Sequence, residues 1–172
     1  MILTLTINPS VDRNVFVDRL VFEDRAYILS RSDSAGGRGI NASRVLHSFS
    51  AKSLAVVTAG GANGEKFQKL LAKSGFPVKV VPIKNEIRTN FTITDRQGLA
   101  IKLNETGPAL SADELVRLEK TVEAIKPPPP VLAGGRENTR LIAVNFNTKF
   151  QTVSFSLGYH VSGNLKCLCV VC

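Results

Sequence analysis

The hydrophobic positions along the chain follow two different spacings. Short apolar runs at 2–7 ("ILTLTI"), 53–59 ("SLAVVTA") and 76–83 ("FPVKVVPI") have the length and composition of buried strands. Between them, "INASRVLHSF" and "EKFQKLLAKSG" place their apolar residues at helical spacing, and Gly75 marks the end of the second helix. Strands and helices that alternate in this way predict an α/β fold with a largely parallel sheet.

A looser alternation of apolar and polar residues marks a second group of strands. It covers residues 13–31 and again 89–103. In the latter, "TNFTITD" and "LAIKLNE" are joined by "RQG", which predicts a β-hairpin. Both stretches have polar residues on one side and charged turns at their ends. We therefore expect a small antiparallel sheet set apart from the parallel one.

A third helix is predicted over residues 111–125, where the chain changes character. Ser111 stands three residues before Glu114 and forms a capping box. One helix face carries the apolar residues Leu115, Leu118, Val122 and Ile125. The "PPPP" that follows ends any helix, and no Asp occurs after Asp113. We divide the chain into residues 1–126 and a divergent tail, 127–172, in which "LIAVNF" and "FQTVSFSL" are candidate strands.

Composition and charge narrow the class of protein. Apolar residues make up 44% of the chain and charged residues 21%, as in an ordinary soluble domain. No apolar run reaches the roughly 18 residues of a membrane span, and the N-terminus lacks the basic start of a signal peptide, so we expect a cytoplasmic protein with no membrane partner. The net charge of +8 is spread without a basic block, so nothing supports a nucleic-acid surface, and a small anionic substrate such as a phosphate ester fits this charge equally well.

The cysteines offer little for a metal site. All of them, Cys167, Cys169 and Cys172, lie in the last six residues. A structural zinc site needs four ligands, and His160 is the only histidine nearby. We predict no metal site.

The strongest chemical signal is the segment "SAGGRGINASRVL" at residues 34–46. Gly36 and Gly37 let the backbone approach a ligand closely, and the helix that follows aims its free amides at an anion. Arg38 adds a cation, while Asn41 offers a donor and an acceptor. The alternative is a glycine-rich connection with a solvent-facing arginine, and the local pattern does not choose between them. Neither nucleotide-binding glycine fingerprint is present.

Two shorter segments add candidate binding residues. Asn8 and Asp12, in "NPSVDR", follow the first strand, and ligands bind beyond the carboxyl ends of strands in parallel sheets. The Asp12 carboxylate would accept hydrogen bonds from sugar hydroxyls. Arg88 and Asn90 begin the strand in "IRTNFTITD", where Arg88 would clamp a phosphate oxygen. The alternatives are an ordinary turn in the first segment and an exposed arginine in the second.

Nucleophilic catalysis has little support in this sequence. Ser10, Ser43 and Thr89 have no partnered base, and His47 is best explained as a surface or packing residue of a helix. We therefore assign no catalytic residue.

Taken together, these segments resemble a known family. "LTINPSVDRNVFVD", "GGRGINASRVL", "TAGGANGEKFQKLLAKSG", "IRTNFTITD" and "IKLNETGPALSADEL" stand in the order and spacing of the PfkB (ribokinase-like) carbohydrate kinases. The similarity covers roughly residues 1–126 and points to the 1-phosphofructokinase and tagatose-6-phosphate kinase branch.

The resemblance implies a fold and a reaction. The fold is an α/β, Rossmann-like (ribokinase-like) core with a small β-sheet lid. The reaction is transfer of a phosphoryl group from ATP, with Mg²⁺, to a sugar phosphate, converting fructose 1-phosphate to fructose 1,6-bisphosphate. Lid sheets in this family often pair between subunits, so the resemblance also implies a homodimer.

The resemblance also implies roles for site residues. The counterpart of Asp12 binds sugar hydroxyls, Gly36, Gly37 and Asn41 shape the sugar pocket, and Arg88 faces the sugar phosphate, with Asn90 beside it. Arg38 stands where this branch commonly has Lys, so the positive charge is kept.

Two motifs of the family do not occur in this sequence. These are "GAGD", which supplies the catalytic aspartate and an anion hole, and "N-x-x-E", which helps to manage Mg²⁺. We therefore expect the C-terminal half of the fold to be missing and the truncated chain to be inactive alone. The alternatives are a non-catalytic sugar-phosphate-binding or dimerising fragment, or specificity for tagatose 6-phosphate or fructose 6-phosphate. Because "VLAGG" at 131–135 resembles the start of the family's "LAGSLPPG", we hypothesise a frameshift or a premature rearrangement near residue 135.

Overall fold

The computed structural model describes residues 2–21 and 23–126, together with the backbone of two short strands further along the chain. In chain order the elements are β1 (Ile2–Thr6), β2 (Ser10–Val17), β3 (Ile28–Gly36), α1 (Arg38–Ser48), β4 (Ser53–Ala59), α2 (Gly61–Leu71), β5 (Val78–Pro82), β6 (Arg88–Thr94), β7 (Ala100–Asn104), α3 (Ala112–Glu123), β8 (Val131–Gly134) and β9 (Leu168–Val170). They form two sheets, and the predicted α/β core with a small lid is confirmed.

The larger sheet is parallel throughout and has the strand order β5-β4-β1-β8-β9. The interior strand β4, between β5 and β1, is buried on both sides, because neighbouring residues point to opposite faces. Val57 packs in the cluster that holds Phe67 of α2, whereas Val56 packs in the cluster that holds Leu118 of α3. Helices therefore cover both faces, and each fully buried Val or Leu contributes about 1.5–3 kcal/mol.

The third helix begins where its capping box predicts. The Ser111 hydroxyl accepts a hydrogen bond from the Glu114 amide at 3.3 Å, and the Glu114 carboxylate accepts one from the Ser111 amide at 2.7 Å. Glu114 also accepts from the Lys84 amide, and these amide donors hold its pKa below the usual value. Leu118, Val122 and Ile125 are buried as predicted, while Leu115 is only half-buried.

The smaller sheet, called the lid below, has the strand order β3-β2-β6-β7. The predicted hairpin of β6 and β7 is confirmed, and its turn contains Gly98 at φ +84°. The prediction of a purely antiparallel sheet is wrong, because β2 and β6 run parallel. The reason is topological: β2 follows β1 and β6 follows β5, so both lid strands leave parallel core strands in the same direction.

Beyond residue 126 the structure describes only β8 and β9. β8 pairs with β1 and β9 pairs with β8, both in parallel. The candidate strands at 141–146 and 150–157 lie outside the described residues, as do Cys167 and Cys172. The proposed boundary at residue 126 stays a prediction. Across the described part of the chain, no helix has the length and apolar character required to cross a membrane.

Candidate functional site

The lid sheet has one predominantly polar face, and the candidate site lies at the base of that face. Residues in register share a face of a sheet, so Asp12 of β2 lies beside Ser34 of β3 and Asn90 of β6. Ser10, two residues earlier on β2, shares this face and pairs in register with Gly36 and Arg88. The segments that the sequence singled out separately thus meet on three adjacent strands.

Asp12 and Asn90 are joined by hydrogen bonds. The Asp12 Oδ1 atom accepts from the Ser10 hydroxyl at 2.7 Å and from Asn90 Nδ2 at 2.9 Å. Asn90 Nδ2 also donates to Ser10 Oγ at 3.1 Å. Both side chains are half-buried, and the network fixes their orientation. The NH₂ group of Asn90 points to Asp12, so Asn90 Oδ1 points away from this network.

Glycine is required where the chain passes this network. A Cβ atom at Gly36 would overlap the Asp12 carboxylate. Gly37 has φ +133°, and a Cβ atom there would lie 2.5 Å from Thr6 Cγ2. A Cβ atom at Gly39 would lie 2.7 Å from the Leu5 carbonyl oxygen. The third glycine of "GGRG", which the sequence analysis did not single out, therefore sets α1 against the end of β1.

The first turn of α1 follows Gly36 and Gly37 and carries an exposed positive charge. Arg38 is exposed on this turn. No side chain caps the free amides of the turn, and the turn contains no acidic residue. Asn41 is exposed, and its Oδ1 atom accepts from Arg44 Nη1 at 2.9 Å. Arg44 also donates to the Ala35 carbonyl oxygen at the end of β3. Because Arg44 occupies the amide oxygen, Asn41 offers its NH₂ group as a donor.

Arg88 is buried, so the interpretation of an exposed arginine is wrong. Only 9% of this residue is exposed, and its guanidinium donates to the Glu105 carbonyl oxygen at 3.1 Å. A second nitrogen lies 3.5 Å from the Asn8 carbonyl oxygen. Asn8 in turn donates to the Thr106 carbonyl oxygen at 2.8 Å. Arg88 and Asn8 thus tie the loop after β7 to the loop after β1.

Three buried oxygen atoms around the site have no hydrogen-bond partner among the described residues. They are Thr6 Oγ1, Asn8 Oδ1 and Asn90 Oδ1. A buried polar atom left unpaired costs about 1–3 kcal/mol. Asn90 lies beside Asp12, Thr6 Oγ1 lies beside Gly39 of α1, and Asn8 Oδ1 lies beside Gly107 in the loop after β7. These unpaired acceptors make the base of the lid a candidate ligand site.

The other candidate residues of the sequence have structural contacts. Ser43 is buried and shares a 2.6 Å hydrogen bond with Thr4. Thr89 accepts from Asn63 at 3.1 Å, and the His47 ring packs edge-to-face on Phe76 with 6.2 Å between centroids. Within residues 2–21 and 23–126, no group of three or more acidic, histidine or cysteine side chains is placed to hold a metal ion.

Comparisons with known proteins show which family and fold this chain is similar to. The family described as pfkB family carbohydrate kinase matches residues 6–128. The chain is 32% identical over 114 residues to ATP-dependent 6-phosphofructokinase isozyme 2 of Mycobacterium tuberculosis, covering 66% of this chain and 34% of that protein. It is 32% identical over 123 residues to 1-phosphofructokinase of Borreliella burgdorferi, covering 72% and 40% respectively.

A solved structure shows the same arrangement of elements. Phosphofructokinase-2 from Escherichia coli in complex with fructose-6-phosphate matches with a TM-score of 0.72 and 30% identity, over 77% of this chain and 44% of that one. The chain therefore spans less than half the length of the relatives it matches.

Proposed function

The chain belongs to the pfkB family of carbohydrate kinases, and we propose that residues 1–126 form the part of such a kinase site that holds the sugar phosphate. The proposed reaction is of the 1-phosphofructokinase type, in which fructose 1-phosphate receives a second phosphoryl group. The observation that carries the proposal is the network of Asp12, Ser10 and Asn90, packed against Gly36, with the Asn90 oxygen buried and unpaired.

The polarity of the site suits a phosphorylated sugar. Asp12 and the Asn90 oxygen are acceptors, so they would take hydrogen bonds from sugar hydroxyls. The Asn41 NH₂ group, the first amides of α1 and Arg38 are donors or positive charges, so they would bind the phosphate or the ring oxygens. Arg88 would both hold the loop after β7 and contribute positive charge to this pocket.

These residues would act by positioning the acceptor. Phosphoryl transfer depends on placing the attacking hydroxyl in line with the phosphate, and a sugar fixed at several hydroxyls keeps that alignment. ATP is the family's phosphoryl donor and Mg²⁺ its expected partner. Among the described residues, no group of acidic, histidine or cysteine side chains is placed to hold a metal ion.

We propose further that this 172-residue polypeptide binds the sugar phosphate without turnover when alone, because neither "GAGD" nor "N-x-x-E" occurs in its sequence. Calorimetry with fructose 1-phosphate, fructose 6-phosphate and tagatose 6-phosphate would rank the ligands, and a coupled assay with ATP and Mg²⁺ would measure turnover. Binding without turnover supports the proposal. Turnover would overturn the second part, and failure to bind any of the three would overturn the first.

A matched pair of variants would locate the site. Asp12→Asn keeps the side-chain volume but removes the carboxylate, and we expect about a tenfold loss of affinity or more, since hydrogen bonds to a charged group contribute about 1.5–3 kcal/mol. Asp113→Asn makes the same change at an exposed position of α3, and its affinity should equal that of the wild type. Equal affinities in both variants would place the ligand elsewhere.

The second face of the lid supports the predicted homodimer. Its outer part carries exposed apolar residues: Ile28 is 62% exposed, Leu103 52% and Ile101 38%. We propose that a second copy of the chain covers this face through its own lid. Sedimentation should show a dimer for the wild type and a monomer for Leu103→Asp. Leu99→Asp, an equally exposed position in the adjacent turn, is the control. A wild-type monomer would contradict the proposal.

A further inference from the structure

The face of the lid opposite the candidate site carries a charged cluster that contacts the core. Asp33 of β3 accepts from Arg13 of β2 at 2.9 Å and from Lys66 of α2. Arg13 and Asp33 stand in register on neighbouring lid strands, whereas Lys66 belongs to a helix packed on the core sheet. Asp33 therefore receives one cation from the lid and one from the core.

The cluster extends across a third lid strand. The Arg13 guanidinium lies over the Phe91 ring of β6, 5.7 Å from its centroid. Arg13, Asp33 and Phe91 thus connect β2, β3 and β6, which are the strands that build the site. The side chain of Asp33 is only 16% exposed and that of Arg13 29%, so solvent screens these contacts only in part.

Each lid residue of this cluster is the chain neighbour of a residue on the face that carries the site. Arg13 follows Asp12, Phe91 follows Asn90, and Asp33 precedes Ser34, the residue in register with Asp12. Successive residues of a strand point to opposite faces, so the cluster lies directly behind the site. A movement of these strands relative to α2 would carry Asp12 and Asn90 with them.

We propose that Lys66 and Asp33, with Arg13, act as positioning residues that fix the base of the lid on α2 and so hold Asp12 and Asn90 in place for the sugar phosphate. The Lys66–Asp33 ion pair is the direct charged link from the lid to the core within the cluster. The binding part of this inference rests on the proposed function, whereas the mechanical part concerns the lid alone.

The test replaces Lys66 and follows the lid by hydrogen exchange. In the 172-residue chain without ligand, Lys66→Met should make the amides of β2 and β3 exchange about three- to tenfold faster while those of β4 are unchanged, as expected for a half-exposed ion pair. Lys66→Arg, which keeps the charge, should restore slow exchange. Lys69→Met makes the same change at an exposed position of the same helix and should behave as the wild type.

A binding arm separates this inference from the proposed function. The affinity for fructose 1-phosphate should fall about three- to tenfold in Lys66→Met and recover in Lys66→Arg. Unchanged lid exchange in Lys66→Met would overturn the inference, whether or not the wild type binds. Faster lid exchange with unchanged affinity would overturn the positioning role. A wild type that binds no sugar phosphate would refute the proposed function, and the exchange result would still decide the mechanical part.

Discussion

The two sheets of this protein are held together in different ways. The core sheet is buried by helices on both faces, and the largest buried side chains, such as Phe67 and Leu3, lie in or against it. The lid has a polar face that carries the candidate site and a second face that is apolar towards its outer end. The lid joins the core through Val11 and Ala35, which share a buried cluster with Phe67. We therefore expect substitutions in the core to act mainly on stability and substitutions on the polar lid face to act mainly on the proposed binding.

The largest effect on stability is expected in the core. Phe67 is fully buried against the core sheet, and Phe67→Ala should lower the free energy of unfolding by about 3–5 kcal/mol, since it removes buried area and leaves a cavity. Phe49, 80% exposed at the end of α1, is the matched control. Phe49→Ala should change the free energy of unfolding by no more than about 0.5 kcal/mol. Denaturant unfolding measures both, and similar losses would show that the core does not dominate stability.

A smaller effect on stability, but a large one on binding, is expected at Gly36. The Cβ atom of Gly36→Ala would overlap the Asp12 carboxylate, which must move and leave Asn90. We expect at least about a tenfold loss of affinity for the sugar phosphate, equivalent to about 1.4 kcal/mol. Calorimetry measures the affinity, and hydrogen exchange in β4 should stay unchanged.

Gly98→Ala is the control for this prediction, because a Cβ atom at Gly98 meets nothing within 4 Å. It adds the same methyl group to the far end of the lid, at a positive φ that strains alanine. It should therefore lower lid stability slightly and leave affinity unchanged. Equal losses of affinity in both variants would mean that lid strain, rather than the contact with Asp12, explains the Gly36 result.

The core was easier to predict from the sequence than the lid. The run "SLAVVTA" predicts β4 to the residue, because a strand buried on both faces is a continuous apolar run. The parallel pairing of β2 with β6 was missed, because it follows from how both strands leave the core sheet and not from their alternation. Local pattern shows which side chains share a face, but tertiary connections decide which strands are neighbours.

Some residues of the candidate site could be predicted from local sequence pattern and others could not. The sequence singles out Asp12 and Asn90 because polar residues near strand ends stand out, and the structure joins the two side chains by a hydrogen bond. Arg44 was missed, although its position three residues after Asn41 on a helix was the available signal. The pairing of Asp33 with Lys66 joins residues 33 positions apart, and no local pattern predicts it.

The smallest effect on stability is expected when the pH is lowered, and it distinguishes the charged cluster around Asp33 from the core. The pKa of Asp33 is lowered from 3.8 to about 2, chiefly by hydrogen bonds from Arg13. Burial acts in the opposite direction, and the hydrogen bond from Lys66 lowers the pKa further. A carboxyl group with a lowered folded-state pKa stabilises the fold above its unfolded pKa and loses that contribution as pH falls towards the folded value. The contribution of Asp33 should therefore be complete above about pH 4 and disappear near pH 2, with an upper limit of about 2 kcal/mol before screening by solvent.

The variant Asp33→Asn isolates this contribution, because Glu114 and Asp95 also have lowered pKa values and make the whole protein sensitive to acid. The measured quantity is the free energy of unfolding of the wild type minus that of Asp33→Asn, followed from neutral pH downward. We expect a positive difference that shrinks only below about pH 4, together with faster lid exchange in the variant at neutral pH. A difference that is constant with pH would mean that the Asp33 charge does not stabilise the lid. Faster exchange in β4 as well would mean that the cluster supports the core and that the two sheets are not mechanically separate.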